Sequence, residues 1–407
     1  MQTALHRLAS GTWLTQRVVL FAGMAGLASA AASLAWLFAT ANGTIDATGR
    51  PLGTDFSSFW TAGRLALAGH ASSAYHWATL EALQAQTHGV DLFFPWSYPP
   101  MFLAVAALVA FMPYVPALIA WQAATLAAAV AALRAISPAP LLLVAGLGYP
   151  IVLVCLGHGQ TGFLTAALLT GGVLCLERRE ALAGILFGLL AYKPQFGLLI
   201  PLVLVAGGYW RAIAAAGATV LAGVGLTLAL WGWPVWQAFV DSMTLTRSIV
   251  FEGGSTGFEK FQSAFAWARL WGGSATAAYL LQAVVTTGAA AACLWIWRQN
   301  VGFRLKGAAL LTATLLSTPY VLDYDLTVLG MALALLVAHG LEHGFRPWEK
   351  TVFALAWLLP SGGRGIAMLL PLPVGFAVLA MVFGLILARV RAERHNESVF
   401  GAELRAA

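Results

Sequence analysis

The chain has 407 residues, of which 60% are hydrophobic and only 9% charged, with a mean hydropathy of +0.80. Soluble domains carry about 25% charged residues, so this composition excludes a soluble enzyme, a disordered chain and a nucleic-acid binder. The formal charge of +6 therefore needs a cause other than a polyanionic partner.

A membrane-spanning helix needs about 20 mostly apolar residues. The first such run is 18–41. Arg7 and Arg17 precede it and Ala39-Thr40-Ala41 resembles a cleavage site. The run exceeds the roughly 7–15 apolar residues of a signal peptide, so an uncleaved anchor is expected. Residues 42–98 then break the pattern. Within them Phe59, Trp60, Leu65 and Leu67 with Arg64, and Tyr75, Trp77, Leu80 and Leu83 with Glu81, predict two short amphipathic helices lying along the membrane surface. Tyr98-Pro99-Pro100 marks the return to the bilayer.

Further apolar stretches follow near 101–112, 115–136, 140–157, 160–176, 181–192, 195–208, 211–231, 276–298, 306–319, 322–338, 350–366 and 368–389. The stretch 181–208 is interrupted by Tyr192-Lys193-Pro194-Gln195, which predicts two half-helices meeting at a polar break, because Pro cannot continue the helical ladder. Residues 232–275 form a second long polar segment, rich in Trp and Gly. Cys155, Cys175 and Cys293 all fall in apolar stretches and read as small core residues. The expected fold is all-α: a polytopic bundle of about ten to twelve membrane segments, in one domain. Its parts are a first span 18–41, an outer loop 42–98, a bundle 99–231, an outer loop 232–275, a bundle 276–389 and a cytoplasmic tail 390–407.

Basic residues accumulate on the cytoplasmic side of membrane proteins. Fifteen of the 22 basic residues cluster in the N-terminal segment, in short connections and in the tail, among them Arg134, Arg178, Arg179, Arg211, Arg304, Lys306, Arg346 and Arg389. The other seven are Arg50, Arg64, Lys193, Arg247, Lys260, Arg269 and Arg364. With loops 42–98 and 232–275 outside, the net charge is about +8 inside and −2 outside. The basic balance is thus a topology signal. The parity works if 101–112, bounded by Pro99, Pro100 and Pro113, crosses only half the bilayer.

Charged groups at membrane depth cost about 2.5–3.5 kcal/mol each on insertion scales, which makes them functional candidates. Five places qualify. Asp55 follows the first span at the start of an amphipathic helix. It is either an N-cap or a general base able to take a proton from a sugar hydroxyl. Gly157-His158-Gly159-Gln160 is either a plain Gly-rich hairpin or a donor set in which His158 and Gln160 orient a sugar or phosphate. Lys193 either snorkels to the interface or aims a cation at an anion, helped by a half-helix N-terminus beyond Pro194. In Thr318-Pro319-Tyr320-Val321-Leu322-Asp323-Tyr324-Asp325 the two acids either cap the next helix or bind substrate. The loop with Arg247, Glu252, Lys260, Gln262, Ser263 and Arg269 is either solvated, or holds a phosphate with its cations while Trp267 and Trp271 stack on sugar faces.

Some motif matches carry no weight. Gly253-Gly254-Ser255-Thr256-Gly257 fits a nucleophile elbow without a strand to hold it. His339-Gly340-Leu341-Glu342-His343 fits an inverted zinc-protease pattern in a short connection with no evident third ligand. Gly184 and Gly188 permit close helix packing. The outer acids are too sparse to suggest a metal cage, and there is no GxxxxGK[ST] loop for a nucleotide. No metal site and no cofactor are expected.

The order of the remaining features resembles glycosyltransferase family 87, which includes bacterial polyprenyl-phosphate-mannose-dependent alpha-mannosyltransferases. The features are Asp55-Phe56 with Trp60 and Arg64, then Tyr98-Pro99-Pro100, Gly159-Gln160, Lys193-Pro194, and Ser317-Thr318-Pro319 with Asp323 and Asp325. They span roughly 50–340. The resemblance implies the C-type glycosyltransferase architecture, a helical bundle with a large first outer loop. It implies transfer of a hexose from a polyprenyl-phosphate-linked donor to a lipid- or glycan-linked acceptor, with inversion, on the outer face of the cytoplasmic membrane. The family's catalytic acid lies in the first outer loop, where Asp55 stands. Lys193, Arg64 and Arg269 are the candidates for the donor phosphate, and His158, Gln160, Tyr320, Asp323 and Asp325 for the sugar and acceptor. The late Ser-Pro region often carries a His in the family, whereas here Tyr320, Asp323 and Asp325 stand there. The expected partners are the lipid-linked donor, the acceptor and membrane lipids, with no nucleic acid. A secondary transporter or flippase of a small or lipid-linked solute is the alternative, though two long outer segments and the lack of visible repeats argue against it. A non-catalytic lipid-binding or scaffold protein is a third reading.

Overall fold

The computed structural model describes residues 2–406, with side chains described for 2–395. Within them the chain is helical throughout, with isolated β-bridges and no strand. Seven helices are long and apolar enough to cross a membrane, one bent pair forms a broken span or a re-entrant loop, and four shorter apolar helices accompany them.

The chain opens with α1 (Gln2–Ser10) and the first span α2 (Gln16–Ala39), whose N-cap Thr15 accepts from the Val18 amide. In the segment 42–98 the two predicted helices form, as α3 (Phe56–Leu67) and α4 (Trp77–His88). The expectation that both lie along a membrane surface needs correction for α3. It buries Phe56, Phe59, Ala62 and also the polar Ser57, Ser58 and Thr61. A Cβ on Gly63 would collide with the Ala106 carbonyl, so α3 presses directly onto α5 (Pro100–Val109). Ten residues of α-helix rise about 15 Å, half of a 30 Å hydrocarbon core. The short α5 is thus below the length of a full span, and Pro100 and Pro113 mark the starts of α5 and of α6 (Tyr114–Ile136).

Next come α7 (Pro140–Leu147) and α8 (Ile151–His158), bent by 51° at their junction, then α9 (Gly162–Cys175). The stretch 181–208 breaks as expected. α10 (Glu180–Leu189) and α11 (Ile200–Gly207) are separated by two single 3-10 turns, Leu190–Tyr192 and Pro194–Gly197, with Lys193 between them. α12 (Trp210–Trp231) packs on α10, where a Cβ on Gly184 would meet the Ala212 carbonyl. The second outer segment is more ordered than its composition suggests: it holds α13 (Trp233–Thr246), a π-helical turn Arg247–Glu252 and α14 (Ala264–Leu270). The chain closes with α15 (Ala275–Trp297), α16 (Phe303–Leu316), α17 (Thr327–His343), α18 (Glu349–Leu369) and α19 (Val374–Ala406). α19 runs without a break into the predicted tail. Its side chains beyond 395, with Asn396-Glu397-Ser398, lie outside the described residues.

Charged groups gather at two opposite ends of the bundle. At one end α1 docks on the start of α18: the Trp348 amide donates to Ala9 O (2.7 Å) and Thr351 Oγ1 to Leu8 O (2.6 Å). Here Arg389 pairs with Glu349 (2.7 Å) and Glu393 (3.0 Å), and Arg304 with Glu342. These are groups assigned to the inside by their charge. α18 then carries Arg364 to the other end, beside His158, Gln262 and Asp323.

Candidate active site

The site is assembled from three chain segments at the end of the bundle that holds Arg364. The first is the turn before α3. Asp55 occupies the N-cap position of α3, but its side chain makes no capping hydrogen bond. The helix start is served by backbone instead, with the Asp55 carbonyl accepting from the Ser58 amide (3.1 Å) and hydroxyl (2.8 Å). The carboxylate is thereby free of a local role. Its Oδ2 accepts from Gln160 Nε2 at 2.8 Å, and its Oδ1 has no hydrogen-bond partner among the described residues.

The second segment is Gly157-His158-Gly159-Gln160, between α8 and α9. Gly159 ends α8 in the left-handed region (φ +65°), where only a residue without a side chain sits without strain. A Cβ there would come within 2.5 Å of Phe56 Cβ and 3.0 Å of Gly53 O. This close approach lays the Asp55 turn onto the α8 end. From α6, Trp121 Nε1 donates to Gly159 O (3.1 Å), and Gln122 Nε2 to Cys155 O and Leu156 O (both 3.2 Å). Orphan carbonyls of the helix end are thus satisfied. Gln160 is buried and its amide is fixed on both sides: Oε1 accepts from Tyr98 O–H and from the Thr161 amide, each at 3.1 Å. Burial holds the Tyr98 hydroxyl well above its usual pKa, so it stays a donor. Tyr98, Gln160 and Asp55 form one hydrogen-bonded chain.

The third segment is 317–326. Here Gln262 N donates to Val321 O (2.8 Å), Phe261 bridges to Leu322, and Tyr320 packs between Phe251 (4.5 Å) and Phe261 (5.5 Å). The late segment and the second outer loop are therefore one unit. The Tyr320 hydroxyl is held protonated by burial and by the charges of Asp325 and Asp55. Asp323 faces a small cavity of about 110 Å³ shared with His158, Gln262 and Arg364. His158 Nδ1 donates to Val154 O (2.8 Å), which leaves Nε2 as the free ring nitrogen. His158 also lines a larger, open cavity of about 610 Å³ on its other side. Neither wall includes Asp55, but Thr54, its neighbour in the chain, stands on the larger one.

The expected phosphate cations are not gathered here. Lys193 is 3% exposed and is bound to Asp325 Oδ1 at 2.6 Å, over the rings of Phe196 and Tyr324. Its charge is neutralised within the fold. Asp325 is likewise taken: Oδ2 accepts from the Leu322 amide, so it is both cap and counter-ion. Arg64 is exposed against Trp60 (5.6 Å), nine residues along α3 from Asp55, or about 13 Å by helical rise. Arg269 donates to Gly273 O (2.8 Å) and Glu252 O (2.7 Å) and covers Phe258, so it ties its own loop together. Trp271 binds Pro371 O and Trp267 packs on Phe376. The dismissed His339 motif is likewise occupied elsewhere, His339 with Glu393 and Glu342 with Arg304.

A family model for glycosyltransferase family 87 matches residues 96–319, more than half of the chain. The chain belongs to glycosyltransferase family 87. It is a membrane glycosyltransferase. No curated protein and no solved structure matches it. The matched region is narrower than the span of the resemblance: it includes Tyr98, Gln160 and Lys193 but neither Asp55 nor Asp323. The Gln160 hydrogen bond ties Asp55 to the matched region. The role of Tyr98 was not evident from the sequence, where Tyr98-Pro99-Pro100 reads as a helix start. Arg364 was findable, as a charge in the interior of the apolar stretch 350–366.

Proposed function

We infer that this family-87 glycosyltransferase moves a hexose, with mannose the first to test, from a polyprenyl-phosphate-linked donor to a lipid- or glycan-linked acceptor. The reaction takes place at the outer face of the cytoplasmic membrane. The observation that supports this reading best is the Asp55 carboxylate: it caps nothing, one oxygen is oriented by Gln160, and the other has no partner among the described residues. That is the state required of a general base, which must reach the proton it removes.

In the proposed step Asp55 takes the proton of an acceptor hydroxyl. The hydroxyl oxygen attacks the anomeric carbon in line, a new C–O bond forms, and the bond to the phosphate oxygen breaks with inversion. The electron pair leaves on the polyprenyl phosphate. The growing negative charge there calls for preorganised cations or donors, each worth about 3 kcal/mol of barrier. His158, Gln160, Tyr320 and Asp323 are proposed to orient the sugar and the acceptor, with Arg364 added to the set by its place beside Asp323. Lys193 and Asp325 serve this step indirectly, as the buried pair that fixes the broken helix against the late segment.

The test is Asp55→Asn in purified protein with a radiolabelled polyprenyl-phosphate hexose and a membrane lipid extract. Transfer should fall about 10²–10⁴-fold, the usual range for a lost general base, with thermal unfolding unchanged. Turnover near that of the wild type would remove Asp55 from the chemistry.

A further inference from the structure

The three cations that the sequence brings forward are engaged elsewhere, and Arg364 is placed beside Asp323, which leaves the cation for a lipid-phosphate leaving group open. Resting on the reading above, we propose that the cavity between α2 and α8 is a lipid-phosphate site, with Arg50 as its cation.

Its polar wall carries Arg50, Thr48, Thr54 and His158, and its apolar wall includes Trp36 and Leu153. The volume, about 610 Å³ and open to the outside, admits a phosphate with an attached sugar. Arg50 is exposed and makes no side-chain hydrogen bond or ion pair among the described residues. Its backbone, by contrast, is fixed: Asp46 N donates to Arg50 O (2.8 Å), and the Arg50 amide donates to Asp46 Oδ1 (3.3 Å). Asp46 also lines the cavity, but its Oδ1 additionally accepts from the Thr48 amide (2.7 Å) and hydroxyl (2.6 Å). That carboxylate shapes the turn and presents Arg50. A guanidinium with a rigid base and free N–H groups suits the oxygens of a phosphate.

Thr54 directly precedes Asp55, and His158 lies two residues before Gln160, so a phosphate held here leaves from beside the base. The lipid side is supplied by α2, which is apolar on its outer surface, with Phe21, Met24 and Trp36 at least half exposed. The head group then sits in the cavity while its tail runs down α2 in the hydrocarbon.

The test is equilibrium binding of a radiolabelled polyprenyl monophosphate to the full-length protein in phosphatidylcholine nanodiscs. Binding should weaken at least tenfold in Arg50→Ala and far less in Arg50→Lys. Arg178→Ala, at the opposite end of the bundle, should bind like the wild type. Equal affinity of Arg50→Ala and wild type overturns the site. Displacement of the label by inorganic phosphate at the same concentration as by unlabelled polyprenyl phosphate reduces it to an anion site, and equal displacement by phosphatidic acid makes it a phospholipid site; either result overturns the assignment. Binding needs no turnover, so the two readings fail separately. Arg50-dependent binding without any sugar transfer leaves the site standing alone. Asp55-dependent transfer with a donor KM unchanged in Arg50→Ala leaves the glycosyl-transfer reading standing and removes the site.

Discussion

Gln160 Nε2 donates to Asp55 Oδ2 at 2.8 Å across 105 residues of chain, and the same side chain accepts from Tyr98 at 3.1 Å. An amide held from both sides cannot rotate, so it fixes the direction in which the carboxylate points. Gln160→Leu keeps the volume and removes all three bonds of the amide, to Asp55, Tyr98 and the Thr161 N–H. We expect kcat to fall about 10–100-fold through lost orientation, with donor KM within threefold. Steady-state kinetics check this, and an unchanged kcat would separate Gln160 from the carboxylate's function.

Gly159→Ala should destabilise the site and the fold together. The left-handed backbone costs a non-glycine residue about 1–2 kcal/mol, and the new Cβ would press on Phe56 and the Gly53 carbonyl. A lowered unfolding temperature in detergent, together with reduced transfer, is the expected pair of results. A stable and fully active variant would show that the first outer loop tolerates displacement from α8.

The Lys193–Asp325 pair is nearly without solvent, with side-chain exposures of 4% and 1%. Removing one partner strands a buried charge, at about 3–5 kcal/mol. Lys193→Met should therefore expose the protein to heat and proteolysis. Lys193→Met with Asp325→Leu should recover part of the loss, but not all, because Asp325 also accepts from the Leu322 amide. Unfolding curves of the wild type, the single and the double variant measure the coupling.

His88 gives the first outer loop a pH limit. It lies buried between Thr44, whose hydroxyl is 2.9 Å from Nδ1, and Ser57, whose hydroxyl is 2.8 Å from Nε2. Burial lowers its pKa from 6.5 to about 4. The unfolded chain binds the proton first as pH falls, so stability is full above about 6.5 and is lost progressively down to about 4. Melting temperature should drop across that window in the wild type and less in His88→Gln. A flat profile in both would place His88 in a wetter setting than the structure gives it.

The helical bundle, the broken span at Lys193 and the half-length α5 were legible because bilayer thickness, proline chemistry and the distribution of Arg and Lys each leave a mark in one dimension. The burial of α3 was not. Its Ser57, Ser58 and Thr61 look like a wet face, yet Thr61 Oγ1 turns back to the Ser57 carbonyl (2.6 Å) and Ser57 reaches His88, so each polar group is satisfied inside the protein. The misjudged cations have a similar cause. Sequence shows that Lys193 is charged, but not that Asp325, far along the chain, already answers it. Arg50 was counted as one of the outer charges and carries no motif. Only the turn built on Asp46 and the cavity that Arg50 lines single it out.

The separation of Lys193 from Asp325 also constrains how this protein is made. Asp325 is polymerised 132 residues after Lys193, and at 5–20 residues per second that interval is on the order of ten seconds. Throughout it, the ribosome has delivered an ammonium group whose counter-ion does not yet exist. The segment around Pro194 can therefore settle only once about four-fifths of the chain has been made.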